Sequence, residues 1–120
     1  FEVAQCLSKT GRYEKANGYL ERAVLLSSDP MLYYVMAKNE QCLGEYRQAE
    51  KHLLHAIDIL PERIYPYYLL MNLYTEPSYF QPAKLKMAID SVLTKKPKVE
   101  SSAIKEMKEK ARSMLNNTSI

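Results

Sequence analysis

The sequence predicts an all-α chain of antiparallel helix pairs closed by a C-terminal capping helix, and three observations predict it. The skeleton Gly-x-Tyr-x-x-Ala-x-x-x-Leu-x-x-Ala at Gly44, Tyr46, Ala49, Leu53 and Ala56 repeats the one at Gly11, Tyr13, Ala16, Leu20 and Ala23. It returns once more at Ser78, Phe80, Ala83, Met87 and Asp90, where the last small residue is replaced by aspartate. Between these marks the apolar residues follow the three-and-four spacing of helices rather than the alternation of strands.

A period near 34 that joins a turn glycine to small and large apolar residues at helical spacing resembles the tetratricopeptide repeat (TPR), two antiparallel helices per unit. The resemblance covers residues 1–95, about two and a half repeats, and leaves 96–120 as linker, capping helix and polar tail. It is sharper in the second helices than in the first, where Tyr33 takes the usual Trp slot and Ala37 the usual Gly slot. The resemblance implies a right-handed α-solenoid that serves as a binding scaffold.

Taken in order, residues 1–10 read as the back half of a first helix with Val3, Ala4 and Leu7 on one face, stopped at Gly11. Tyr13 to Ser27 is its partner, where Ala16 and Ala23 allow close approach of a neighbouring backbone. Ser27-Ser28-Asp29-Pro30 supplies a cap residue and a proline suited to a first helical turn. The next pair is Met31 to Leu43 and Tyr46 to Leu60, joined at Gly44 and closed by Pro61. A third pair runs from about Pro66 to Tyr74 and from Ala83 to Leu93, joined by a 75–82 loop that two prolines pin. Ser101 or Ser102 caps a last helix to about Leu115, whose Ile104, Met107, Ala111, Met114 and Leu115 form one apolar stripe for the preceding helix. Seven helices and no sheet are therefore expected. The Asn116 to Ser119 end contains glycosylation-like triplets but reads as a frayed tail.

At 120 residues, with 47% hydrophobic and 26% charged residues, the chain has the composition of one soluble domain. Phe1 is not a start methionine and the first helix opens in mid-repeat, so a piece of a longer protein is expected. No apolar run reaches the ~18 residues of a membrane helix, so no direct membrane insertion by this stretch is expected. Cys6 and Cys42 do not occupy equivalent helical positions and read as buried free thiols. Charge is uneven: from Lys95 onward seven Lys/Arg face three Glu, while residues 1–94 carry ten basic and eleven acidic side chains. These tail lysines alternate with glutamates along a solvated helix face, and no aromatic residue interleaves with them to stack on a base, so no nucleic-acid partner is expected.

Chemistry-bearing patterns are absent. There is no glycine-rich phosphate loop, His-Glu-x-x-His or nucleophile elbow, and no cofactor and no catalytic residue are assigned. His52 and His55 stand three apart, with Asp58 on the same side, but a zinc site needs four ligands. They read as solvent-facing histidines, with no metal.

A second, narrower resemblance attaches to Pro61-Glu62-Arg63-Ile64-Tyr65-Pro66-Tyr67-Tyr68-Leu69-Leu70 and to Lys96-Pro97-Lys98-Val99-Glu100-Ser101-Ser102-Ala103-Ile104-Lys105-Glu106-Met107. These segments are similar to the C-terminal repeat region of bacterial O-antigen ligase-like or polymerase-like membrane proteins. That resemblance implies a protein-interaction module tethered to the bacterial inner membrane through an N-terminal portion, in a parent that moves polysaccharide from a lipid carrier during lipopolysaccharide biosynthesis. Read without that resemblance, the same residues fit a free-standing TPR adaptor or assembly factor that binds a peptide segment. Either way the partner is a protein or peptide, with a second copy of the chain as one option. The TPR resemblance places the groove on the first helix of each pair, here at Gln5, Lys9, Tyr34, Lys38, Gln41, Tyr68 and Asn72. Tyr34 stands where chaperone-binding members carry a clamp lysine and Lys38 where they carry asparagine, so recognition of a chaperone's C-terminal carboxylate is not expected.

Overall fold

Among residues 12–27, 29–97 and 101–117, which the computed structural model of the protein describes, every regular segment is helical and no strand occurs. Six α-helices follow one another: α1 Tyr13–Ala23, α2 Pro30–Cys42, α3 Tyr46–Ile59, α4 Tyr65–Tyr74, α5 Pro82–Thr94 and α6 Ser102–Asn117, with a 3-10 turn at Pro77–Tyr79. The all-α expectation holds for these residues. The expected helix over 1–10, its turn at Gly11, and the residues Gln5, Cys6 and Lys9 lie outside them. The chain divides into two compact units, residues 1–61 and 62–120.

In the first unit α2 is the middle element, packed on α1 on one side and on α3 on the other. Its start is fixed by Asp29, whose carboxylate oxygen accepts from the Met31 N–H at 3.0 Å, and by Pro30 in the first turn, where no helical hydrogen bond is lost. Its end is a Schellman closure: the Glu45 N–H reaches the Glu40 carbonyl at 2.8 Å and the Gly44 N–H reaches that of Gln41 at 3.1 Å. Gly44 adopts φ +79°, the left-handed conformation this closure requires. A Cβ there would meet nothing within 4 Å. Only backbone strain opposes substitution, so Gly44→Ala is expected to destabilise the protein by about 1–2 kcal/mol, read from the urea midpoint. A loss below about 0.3 kcal/mol would mean that the turn relaxes to another closure.

Ala16 and Leu20 of α1 bury against Leu32 and Met36 of α2, with Ala23, Val24 and Val35 packed around them. Two amides cross the same interface. Asn39 Nδ2 donates to Asn17 Oδ1 at 2.8 Å, and Asn17 Nδ2 donates to the Met36 carbonyl at 3.2 Å. Both side chains are buried, so each needs the other. Asn39→Leu is expected to cost about 1–3 kcal/mol because it leaves the Asn17 oxygen without its donor. Asn17→Leu/Asn39→Leu, measured in the same denaturation series, should cost less than the sum of the two single changes. Additive losses would show that the two amides act separately.

The expected span of α1 to Ser27 is too long. The helix ends at Ala23, and Val24 to Leu26 turn instead, leaving Leu25 and Leu26 82% and 90% exposed. Once these side chains leave the α1–α2 interface, nothing rewards continuing the helix toward Pro30.

In the second unit α5 is the middle element, packed on α4 and α6, and α6 also touches α4. Pro66, Leu69, Leu70, Met71, Leu73 and Tyr74 make α4 buried along most of its length. In α5 the buried set is Leu85, Ala88, Ile89 and Val92. This overturns the expected third register: Ala83 and Asp90 are exposed and Met87 is 70% exposed. The small residue is not lost. Leu85, Ala88 and Ile89 answer Leu53, Ala56 and Ile57, as those answer Leu20, Ala23 and Val24, but the interval has shortened. α2 and α4 keep the full spacing: Leu32, Met36, Ala37, Asn39 and Glu40 are buried, and so are Pro66, Leu70, Met71, Leu73 and Tyr74, which stand at the same spacing one after another. The difference lies in the loop. Pro82 opens α5 only three residues before Leu85, whereas Tyr46 opens α3 seven residues before Leu53, so α5 lacks about a turn at its start.

The capping helix packs as expected. Ala111 is fully buried, Ile104, Met107, Met114 and Leu115 are half-buried, and the Ser101 hydroxyl caps the helix by accepting from the Ile104 N–H at 3.3 Å. It continues to Asn117 rather than fraying at Leu115. Lys108 ties it to α5, its ammonium donating to the carbonyls of Leu93 at 3.3 Å and Lys95 at 2.8 Å, where the last carbonyls of α5 lack helical donors.

Candidate functional site

Tyr34, Lys38 and Gln41 of α2 are spaced four and three apart and so fall on one face. Of the three, Lys38 is exposed, Gln41 is half-buried, and Tyr34 is only 5% exposed. Lys38 is thus the side chain with most surface to offer there. In the second unit, α4 places Tyr68 and Asn72 on one face, both half-buried. The Tyr68 ring stacks on Tyr65 at 6.4 Å and carries the Lys110 ammonium 5.5 Å from its centroid. The backbone carbonyl of Asn72 accepts from the Thr75 hydroxyl at 2.7 Å, closing α4 and leaving its side-chain amide outside that bond.

The other side of α2 holds a cluster that the sequence did not single out. Glu40, with its side chain 6% exposed, lies 2.6 Å from His52 Nδ1 on α3. Tyr33, seven residues before Glu40 and hence on nearly the same helix face, meets His52 at 6.0 Å and His55 edge-on at 4.7 Å. His52 is therefore not a solvent-facing residue, although His55 is exposed. The reason is its position three residues after Ala49 and four before Ala56, on the edge of the buried stripe of α3. No group of three His, Cys, Asp or Glu with metal-site geometry occurs among the described residues. Tyr33 and Glu40 at i and i+7, facing a helix with His at i and i+3, were the available signal.

Beside Tyr33 and His55 opens a depression of about 410 Å³, lined also by Val24, Ser27 and Ile59 and rimmed by the exposed Leu25 and Leu26. Cys42 is exposed rather than buried, because α2 turns Asn39 and Glu40 inward and its last residue outward. A hydrogen bond with Cys42, followed by an electrostatic interaction with it, pushes the Tyr13 phenol up from its ordinary value.

The tail lysines do have aromatic neighbours, but these come from α4. Lys95 stands 4.9 Å above the Tyr67 ring, as Lys110 does above Tyr68 at 5.5 Å. Sequence adjacency hid this, since the partners lie far apart along the chain. No helix among the described residues is long and apolar enough to cross a membrane.

No family model and no curated protein matches this chain.

Proposed function

We propose that the chain is a TPR-like protein-interaction scaffold, helix pairs of one design stacked as a right-handed solenoid and capped by α6, with no catalytic role of its own. The observation that carries this reading is the recurrence of one packing unit. Its first-helix burial pattern returns from α2 to α4, and its Leu-x-x-Ala-apolar core appears in α1, α3 and α5. Repeats of this kind spend their apolar residues on neighbouring helices and leave whole helix faces for partners. Two adjacent leucines at 82% and 90% exposure beside an open depression support a surface used for contact.

The resemblance of 61–70 and 96–107 favours one form of this scaffold, the region C-terminal to a membrane-embedded O-antigen ligase-like or polymerase-like protein. Ile64, Pro66, Leu69 and Leu70 within it are buried, so packing alone accounts for those four residues. Sequence upstream of Phe1 with several stretches of about 20 apolar residues is the expected finding; a short polar leader there would favour the free-standing adaptor.

Binding through the first helices is tested by Lys38→Glu/Asn72→Asp in the full-length parent. Helicity by circular dichroism should stay within a few per cent of the unsubstituted protein, while affinity purification followed by mass spectrometry should lose the partner recovered with the unsubstituted parent. Retention of that partner would move the functional surface off these faces.

A further inference from the structure

The second unit carries an excess of positive charge, and two of its lysines stand over tyrosines of α4. Residues 62–120 carry ten Lys/Arg against six Asp/Glu, whereas residues 1–61 carry seven against eight. Lys95 and Lys110 reach over the rings of Tyr67 and Tyr68 from the end of α5 and from α6. Lys108 lies between the same helices, on the carbonyls of Leu93 and Lys95. None of these three ammoniums has a carboxylate partner among the described residues. A ring face attracts an ammonium but does not neutralise it, and lysine has three N–H donors of which a ring engages few. The rings therefore hold two long side chains in place with their charge still unspent, which lowers the ordering cost of pairing them with something else.

We propose that these two ring-held ammoniums, Lys95 over Tyr67 and Lys110 over Tyr68, dock an acidic segment of a partner protein by pairing with carboxylates of that segment. The proposal rests on the scaffold reading for the class of partner and names its chemistry. Charge decides against a basic partner, which the excess of lysines repels. Single-stranded nucleic acid is disfavoured, because a base stacks on an open ring face and a lysine already covers one face of each ring.

The test uses the whole chain and three fluorescein-labelled probes: a peptide of interspersed Glu, Asp and Leu, the same peptide with Lys for each acid, and an oligothymidylate. Anisotropy should report binding of the acidic peptide alone, weakening as salt is raised. Lys95→Glu/Lys110→Glu should weaken it about tenfold and transfer binding to the lysine peptide, with helicity unchanged. Lys15→Glu/Lys51→Glu, two exposed lysines of the first unit, should leave it as it was. No binding of the acidic peptide, or binding indifferent to the Lys95/Lys110 reversal, overturns the proposal, as does tighter binding of the oligothymidylate. In the parent, loss of partner on Lys38→Glu/Asn72→Asp but not on the Lys95/Lys110 reversal would overturn this site and leave the scaffold standing; loss on neither would remove both.

Discussion

Leu85→Ala is expected to lower the unfolding free energy by about 2–5 kcal/mol, whereas Met87→Ala, two residues along the same helix, is expected to change it by less than about 0.5 kcal/mol. Leu85 is fully buried on α5, the helix that packs on both α4 and α6, and Met87 is 70% exposed. Removing three buried carbons forfeits their transfer free energy and leaves a cavity that the flanking helices fill only in part. Removing the end of an exposed methionine forfeits little, and alanine is the better helix former. Urea denaturation followed by far-UV circular dichroism reads both values. The register drawn from the sequence puts Met87 in the slot of Leu53, and a larger loss at Met87 than at Leu85 would restore it.

That register shows where the sequence was legible and where it was not. Helices α1 and α3 follow one pattern because both begin at a tyrosine two residues after a glycine in the sequence, so matching the glycines also matches Ala16 with Ala49 and Leu20 with Leu53. Between α4 and α5 no glycine marks the turn. Ser78 and Phe80 filled the glycine and tyrosine slots by spacing alone, yet Ser78 falls inside a 3-10 turn and Phe80 follows it, half exposed. Pro82 then sets the first turn of α5, and the buried stripe falls two residues earlier than counting predicts. Helix existence survived this error because apolar periodicity does not depend on register; helix facing did not.

Candidate site residues divide along the same physical line. Lys38 and Asn72 were placed by local spacing on helices whose ends the sequence marks well, and the helices run as expected. Contacts that need a tertiary neighbour were invisible: Lys110 with Tyr68, Lys95 with Tyr67, and Glu40 with His52 each join different elements. A polar residue on a helix reads as solvent-facing until a partner of matching chemistry is found opposite it. For Glu40 the partner lies across the Gly44 turn, on the next helix.

His52→Leu is expected to cost about 2–3 kcal/mol, less than the full penalty for breaking a buried pair because the histidine keeps 22% of its side-chain surface. Glu40 has its carboxylate oxygen 2.6 Å from His52 Nδ1 and is otherwise walled in, so losing the imidazole leaves a carboxylate without its donor. With Nδ1 turned to a carboxylate, that nitrogen carries the proton in the neutral ring, and Nε2 is left as acceptor. A side chain that can still donate should therefore recover part of the loss: His52→Gln is expected to cost less than His52→Leu, although the two are similar in volume. Glu40→Met/His52→Leu, which removes both polar partners, should be milder than His52→Leu alone, since exchanging a buried pair for apolar residues is often near neutral. Urea midpoints of the unsubstituted protein, Glu40→Met, His52→Leu and the double variant close a double-mutant cycle, with an expected coupling of about 1–3 kcal/mol. A coupling below about 0.5 kcal/mol, or a His52→Gln protein no more stable than His52→Leu, would mean that the carboxylate does not depend on the imidazole and that the two helices are joined by apolar packing alone.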